Sequence, residues 1–363
     1  MKRVSAFICS LGSGGAEHQL IELSGMLVEK GYNVSIITFA DISDFYSYSD
    51  QIKRIRLGQG KNIIMKLLAV WRYLIQIKTD VFISFGQREN LISLLPLLFR
   101  KNIKIICGER NFTSGRPSKQ EMFLWNVLYK KANFIVPNSY SQAKYIIEQN
   151  PILKDKVFPI TNYTNLSTYK VSSLPSHNVC RIGIFGRYAK QKNYANFAYA
   201  IKLLKEKTNV HFIIDWFGNI YDKDGNKNND YVAFGDLINN YKIGDVIRLN
   251  NHVKDVVSLM SDFDAIALPS LWEGFSNSIS EAICCGKPLL VSDVSDNGIM
   301  VKNGFNGYLF NPYDVDSICN AFYNFLNLSV NERKEMGRRS RVIAEELFDS
   351  ESFIAKYINL IEK

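Results

Sequence analysis

No apolar run in this 363-residue chain reaches the 18 or so residues that a spanning helix needs, so a membrane-spanning segment is not expected. Met1-Lys2-Arg3 followed by apolar residues 4–9 has the outline of a signal peptide. Its apolar part is too short, however, and residues 12–17 carry no small-residue cleavage pattern. A first buried strand is the better reading. Cysteine is scarce: the six are Cys9, Cys107, Cys180, Cys284, Cys285 and Cys319, none spaced C-x-x-C and most inside apolar runs. That argues against structural zinc and a disulfide framework and favours reduced cytosolic thiols. The four histidines, His18, His177, His211 and His252, show no metal-ligand spacing. Glycine and proline are not in excess, which excludes collagen-like and low-complexity classes. Neither a G-x-x-x-x-G-K-[ST] loop nor a G-x-S-x-G elbow is present.

What is present is the composition of a globular protein, 47% hydrophobic and 22% charged, at a length that suits two domains. Short apolar runs alternate with longer amphipathic stretches throughout. In the first half the runs are residues 4–10, 34–39, 81–85, 103–107, 134–137 and 157–160. In the second they are 180–185, 211–217, 246–249, 265–269, 288–292 and 307–310. They are nearly continuous and rich in Val, Ile and Phe, as strands buried on both faces of a parallel sheet read. Residues 16–30 (ending at Gly31), 193–206, 315–326 and 350–361 read as helices. The fold class is therefore α/β, with two doubly wound six-stranded parallel sheets. The expected domains are residues 1–165 and 166–345, with residues 346–363 a final helix that crosses back to the first. The polar stretch 161–178, with Pro175, reads as the linker.

Charge is distributed unevenly. Residues 1–165 hold 22 Lys and Arg against 12 Asp and Glu, leaving 22 against 23 for residues 166–363. The positive field belongs to the first half and points there to an anionic partner.

Sheets of this class bind ligands at the carboxyl ends of their strands, so the chemistry should lie in those loops. The first strand runs into Gly12-Ser13-Gly14-Gly15-Ala16-Glu17-His18, a glycine-rich turn that opens a helix and is suited to an anion. Glu17 stands where the dinucleotide fingerprint needs its last glycine, which argues against NAD or FAD. The seventh strand runs into Gly186-Arg187, followed by Lys190, Lys192 and Asn193. A forked guanidinium and a point charge there could converge on one diphosphate. The tenth strand ends in Ser270-Leu271-Trp272-Glu273-Gly274-Phe275-Ser276-Asn277, with a helix expected from about Ser278 through Glu281. Backbone N–H groups of Gly274, Phe275, Ser276 and Asn277 could face a ligand, and carboxylates at Glu273 and Glu281 could accept from vicinal hydroxyls. For Glu281 a second reading stays open, because Ser278-x-x-Glu281 also fits a capping box.

Taken together these segments resemble the retaining glycosyltransferases of family four, which have the GT-B fold. Glu273-Gly274-Phe275 through Glu281 is similar to that family's E-x7-E signature. Gly186-Arg187 with Lys192-Asn193 resembles its basic loop, Gly14-Gly15-Ala16-Glu17 its amino-terminal glycine loop, and residues 303–310 the segment after the E-x7-E helix. The resemblance implies two Rossmann-like domains facing across a cleft, a nucleoside-diphosphate-sugar donor (UDP above all) held by the second and a glycan acceptor by the first. In it Arg187 and Lys192 neutralise the diphosphate, Glu273 bonds the transferred sugar, Glu281 accepts from the ribose, and Gly14 and Gly15 serve the acceptor or a phosphate. Arg187, Lys192 and Glu273 are the catalytic candidates. No cofactor and no metal are implied. The sequence departs from the family at His18-Gln19, where many relatives carry Arg, and at Gly298-Ile299-Met300, where many carry an acidic residue.

Asp222-Lys223-Asp224 contains D-x-D but reads as an exposed loop. Residues 62–78 and 91–106 combine apolar and aromatic side chains with Lys66, Arg72 and Lys78, and with Arg100 and Lys104. Both could lie on an anionic membrane, which would make the protein cytoplasmic and peripheral on the inner face, with a polyprenyl-diphosphate-linked acceptor. The alternatives weighed are a GT-B epimerase or polymerase, a non-catalytic sugar-nucleotide sensor and a nucleic-acid-binding protein. No recognition helix or stacking module supports the last, so nucleic acid is not expected as a partner.

Overall fold

The computed structural model describes residues 1–12, 14–97, 100, 102–110, 116–171, 179–221, 225–253 and 255–363. The chain divides into two compact units, Met1–Tyr163 with Ser350–Lys363, and Thr164–Asp349.

The first unit is built on a parallel sheet of β1 (Arg3–Phe7), β2 (Asn33–Thr38), β3 (Lys53–Arg56), β4 (Val81–Phe85), β5 (Lys104–Glu109) and β6 (Phe134–Pro137), in the order β3-β2-β1-β4-β5-β6. The second unit repeats that order with β7 (Cys180–Phe185), β8 (Phe212–Gly218), β9 (Ile247–Asn251), β10 (Ala265–Leu268), β11 (Leu289–Ser292) and β12 (Gly307–Phe310), as β12-β11-β10-β7-β8-β9. These are the two doubly wound parallel sheets expected. In each the strand order reverses at one point, between β1 and β4 and between β7 and β10, where the carboxyl ends of such sheets open a crevice.

Two strand expectations in the first half are corrected. Residues 157–160 form no strand, only a single bridge from Val157 to Ile135. The sixth strand is instead β3, Lys53-Arg54-Ile55-Arg56. An edge strand bonds one neighbour and keeps a solvated side, so it carries charge more readily than a central strand. Asp44 secures it, reaching Arg54 at 3.1 Å and Arg56 at 2.6 Å.

Helices cover both faces of each sheet. In the first unit, Val4, Ala6, Ile8, Val34 and Ile36 pack on one side with helix Gly15–Glu29 and the last helix, Ser350–Glu362. Phe7, Ile37, Phe82 and Ile105 pack on the other against residues 124–129 and 143–146. Gly31, at φ +86°, ends the helix Gly15–Glu29 in a left-handed turn whose N–H bonds to Val28 O, which suits a residue without Cβ. The last helix is held firmly. Phe353, Ile354, Tyr357, Leu360 and Ile361 are buried, each such apolar burial contributing roughly 1.5–3 kcal/mol. Lys2 pairs with Glu362 at 2.6 Å, Lys104 donates to Ile361 O at 2.8 Å, and Arg110 donates to the Tyr357 hydroxyl at 2.7 Å.

Candidate donor site at the carboxyl ends of β7 and β10

β7 leads directly into Gly186-Arg187. The Gly186 N–H bonds Phe217 O at 3.0 Å, and its carbonyl accepts from the Trp216 indole at 2.9 Å. The next anchor is Tyr188, buried, with its hydroxyl 2.9 Å from Trp216 O and 2.7 Å from Asn250 O. Arg187, between two fixed residues, is exposed, and among the described residues no hydrogen bond or ion pair occupies its guanidinium. The chain then makes a tight turn over Lys190–Lys192 and passes through Asn193, at φ +59°, into the helix Tyr194–Lys207. The Asn193 side chain donates to Pro312 O at 2.8 Å and fixes that turn.

Lys192 folds back over Gly186. A Cβ at Gly186 would lie 3.3 Å from the Lys192 Cε, so glycine leaves room for the lysine stem. The Lys192 Nζ meets Glu273 Oε1 at 2.5 Å, with both side chains nearly buried, 12% and 11% exposed. Residues that lie 81 apart in the chain thus form one ion pair at the switch point of the second sheet.

The loop that carries Glu273 has no regular structure of its own and is held from outside. Leu271 N–H bonds Gln191 O at 2.8 Å, and the Gln191 side chain donates to Trp272 O at 2.8 Å. Phe275 is buried and packs edge-on against Phe348 at 6.3 Å, which roots the loop in the core below the sheet. Gly274 lies between, half-exposed. The helix that follows spans Asn277–Cys284, one residue earlier than expected. Ser276 is its N-cap residue, but its side chain makes no capping bond and lies 3.1 Å from the Ser278 hydroxyl instead.

That start removes the capping reading of Glu281. Ser278 is inside the helix rather than at its cap, and Glu281 sits deeper still. Its carboxyl accepts a hydrogen bond from the Tyr169 hydroxyl, while burial, the larger effect, pushes its pKa up from the ordinary carboxylate range to about 7. Capping boxes do occur in this chain, at Ser118 with Glu121 and at Ser329 with Glu332.

In the first unit, Gly14 caps the helix Gly15–Glu29 without a side-chain bond. The Glu17 carboxylate folds back onto it, so that any Cβ at Gly14 would collide with Glu17. Burial raises the pKa of Glu17. The space over this helix start is therefore filled by the chain's own carboxyl group. His18 stacks on Tyr46 with ring centroids 4.8 Å apart.

Residues 170–342 match the family model described as glycosyl transferases group 1, a span that contains Arg187, Lys192, Glu273 and Glu281. The chain is 25% identical over 309 residues, 81% of each protein, to the N-acetylgalactosamine-N,N'-diacetylbacillosaminyl-diphospho-undecaprenol 4-alpha-N-acetylgalactosaminyltransferase of Campylobacter jejuni. Residues 170–342 are a group 1 glycosyltransferase domain. A second relative, the UDP-Gal:alpha-D-GlcNAc-diphosphoundecaprenol alpha-1,3-galactosyltransferase of Escherichia coli, is 28% identical over 169 residues, 44% of this chain and 39% of the relative. The fold of this glycosyltransferase is also that of Anabaena Alr3699/HepE, solved in complex with UDP and glucose, with a TM-score of 0.81, 16% identity and 100% of both chains covered. It is the GT-B fold that the sequence resemblance implied.

Three residues of the candidate site escaped the sequence reading. Gln191 and Ser295 act through loop-to-loop bonds that no spacing announces; Ser295 contacts Glu273 from 22 positions downstream. Tyr169 lies in the stretch read as linker, yet residues Leu166–Thr168 form a short helical turn and Tyr169 is buried in the second core. Of the two membrane segments expected, residues 91–106 fail, because Leu94, Leu97, Ile103, Ile105 and Ile106 are core. Arg100 there caps the helix Ile63–Gln76, donating to Ile77 O at 2.9 Å, and Lys104 serves the last helix. The D-x-D of Asp222–Asp224 and residues 172–178 of the expected linker lie outside the described residues, as do Leu98, Phe99 and Lys101. Among the described residues no cluster of His, Cys, Asp or Glu could hold a metal ion, and no helix is long and apolar enough to cross a membrane.

Proposed function

We propose that the enzyme moves a hexose or N-acetylhexosamine from a nucleoside-diphosphate sugar, UDP-linked first of all, to a hydroxyl of a polyprenyl-diphosphate-linked glycan in surface polysaccharide synthesis, with retention of anomeric configuration. What supports this above all is the Lys192–Glu273 pair beside Gly186-Arg187 at the switch point of the second sheet, with Glu281 on the following helix. Arg187 and Lys192 balance the charge that grows on the leaving diphosphate. Glu273, released from Lys192 as the diphosphate arrives, takes hydroxyls of the transferred sugar. Backbone N–H groups of Gly274, Phe275, Ser276 and Asn277 lie along the sugar and phosphate. Glu281 takes the ribose hydroxyls. A donor phosphate oxygen accepts the proton of the attacking acceptor hydroxyl on the same face. The first unit takes the acceptor, and Gly14 and Gly15 serve the acceptor rather than a phosphate, since Glu17 already covers that helix start. The relatives named above act, by their names, on undecaprenol-diphosphate-linked glycans.

The expected assay result is transfer from UDP-N-acetylgalactosamine, UDP-galactose or UDP-glucose to a polyprenyl-diphosphate-linked acceptor, undiminished by EDTA. A complete loss in EDTA that Mn²⁺ restores would reject the metal-free mechanism. Absence of nucleotide binding across UDP, GDP and ADP sugars would reject the donor reading itself.

We also place the enzyme at the inner face of the cytoplasmic membrane. Helix Ile63–Gln76 buries Val70 and Leu74, while Ile64, Leu68, Trp71 and Ile75 form a second apolar stripe that is exposed. Lys61, Arg72 and Lys78 are exposed around it, and each basic group near an anionic surface adds about 1 kcal/mol. Ile64→Glu/Leu68→Glu should release the protein from sedimenting phosphatidylglycerol vesicles by tenfold or more at unchanged melting temperature. Equal binding of the variant would remove this helix as the contact.

A further inference from the structure

Ser295 stands in the left-handed region, at φ +51°, where a residue with a Cβ is uncommon. The turn around it leaves little choice. Asp293 N–H bonds Phe310 O at 2.7 Å, the buried Asn297 side chain donates to Ser292 O at 2.9 Å, and Asn297 N–H bonds Val294 O at 3.1 Å. A turn pinned at both ends holds the residue between them in a conformation it would not otherwise adopt, and such positions gather at functional sites. The consequence here is specific. The Ser295 hydroxyl donates to Glu273 O at 2.5 Å and lies 3.3 Å from the Glu273 N–H, from which it accepts. One side chain thus holds both backbone polar groups of a single residue.

The Glu273 loop has few other ties. Gln191 secures Leu271 and Trp272, and Phe275 is rooted in the core. Between those fixed points only Ser295 touches the Glu273 backbone by a hydrogen bond among the described residues, while Lys192 holds the Glu273 carboxylate. When a diphosphate draws the Lys192 ammonium away, Ser295 becomes the tether that keeps the carboxylate aimed.

We propose that Ser295 is a positioning residue for Glu273: its left-handed turn fixes the loop so that the carboxylate stays in register for the donor's sugar once Lys192 engages the diphosphate. This rests on the donor reading above, and its test has a readout that does not. Ser295→Gly accepts the left-handed turn and deletes the hydroxyl; Ser295→Ala keeps the Cβ and deletes it too. Amide hydrogen exchange in residues 271–274 should accelerate about tenfold or more in both variants, with helix Asn277–Cys284 unchanged. In calorimetry UDP should bind both variants as it binds the wild type, while the extra affinity of UDP-N-acetylgalactosamine over UDP should fall about tenfold. Ser295→Gly should melt no lower than the wild type. Unchanged exchange in residues 271–274 overturns the proposal. So does a Ser295→Gly protein that loses melting temperature and UDP affinity together, since that is a general structural defect. A wild type that binds neither nucleotide refutes the donor reading, and the exchange comparison still decides whether Ser295 tethers the loop.

Discussion

Lys192→Met and Arg187→Ala should both weaken UDP binding by about 10- to 100-fold in calorimetry, yet only the first should lower the melting temperature. A charge-assisted hydrogen bond is worth about 1.5–3 kcal/mol, and about 1.4 kcal/mol corresponds to a factor of ten in affinity. Each cation contributes one such interaction to the diphosphate. Their environments differ sharply. Arg187 is exposed and has no partner among the described residues, so its removal should change stability by no more than about 0.5 kcal/mol. Lys192 is paired at 2.5 Å with a Glu273 that is almost buried. Removing one member of such a pair strands the other charge, at a cost of roughly 3–5 kcal/mol. The low end applies because both groups retain some solvent contact, and it corresponds to a melting point lower by roughly 6–12 °C for a unit of this size. Lys192→Met/Glu273→Gln removes the stranded charge, so it should recover most of that loss without recovering UDP affinity. Full UDP affinity in both single variants would sink the diphosphate role of this loop. A normal melting temperature for Lys192→Met would show that the ion pair is not held in the free enzyme.

Glu281→Gln should stabilise the protein and weaken the nucleotide complex. The folded pKa of Glu281 is raised to about 7, chiefly by burial, so the folded state holds its proton more tightly than the unfolded chain does. The sign follows from linkage: relative to the protonated state, stability falls as pH climbs from the ordinary carboxylate range through about 7, and the penalty is constant above that. Its size at pH 8 is on the order of 3 kcal/mol at most, from about 1.4 kcal/mol per unit. Glutamine never ionises and still accepts from Tyr169, so the variant should melt higher at pH 8 and like the wild type at pH 4. The comparison between the two proteins isolates Glu281 from Glu109, which burial in the first unit also raises to about 7 while Tyr129 donates to it. Wild-type UDP affinity should increase with pH through about 7 as the carboxylate forms. Glu281→Gln should show no such rise and bind UDP about 10- to 100-fold more weakly at pH 8. Equal UDP affinity at pH 8 would mean that the buried carboxylate meets no ribose, and a lower melting temperature would mean that its ionised form is structurally required.

The legible parts of the fold are those where the interior imposes a pattern. β7, β10 and β11 are flanked by strands on both sides and covered on both faces, so they are nearly all apolar; β7 departs at Arg181, which pairs with Asp215 at 2.7 Å, and β11 only at its final Ser292. β3 has one neighbour and a solvated edge, so Lys53-Arg54-Ile55-Arg56 carries nothing that separates it from a loop. Residues 157–160 have the right composition and run beside β6, with Phe158 N–H on Ile135 O and Ile160 N–H on Pro137 O, but they form one bridge, from Val157 to Ile135, and no strand. At the site, Arg187 and Glu273 could be named because cations and carboxylates beside glycine after strand ends are few, and Lys192 and Glu281 because they follow in the same segments. Their relations to one another were not legible. Nothing local in Lys190-Gln191-Lys192 says that Gln191 grips Trp272, or that Lys192 closes on Glu273. Tyr169 lay hidden because a polar neighbourhood masks one aromatic that turns inward to Glu281. Such information is set by which loops the sheet order makes adjacent, and it emerges only with the topology.

The helix Ser350–Glu362 has a consequence for biogenesis. It completes the apolar layer of a unit whose other residues end at Tyr163, so the polypeptide visits that unit twice. During synthesis the middle of the chain leaves the ribosome with all of its own strands and can mature while the earlier part still lacks its closing piece. Until the helix Ser350–Glu362 is made, Ile160, Tyr163 and the strand residues that pack with Tyr357 have an open flank. A nascent chain that stalls before the last helix would therefore expose a sticky amino-terminal half beside a finished middle, the form that chaperones would be called on to hold.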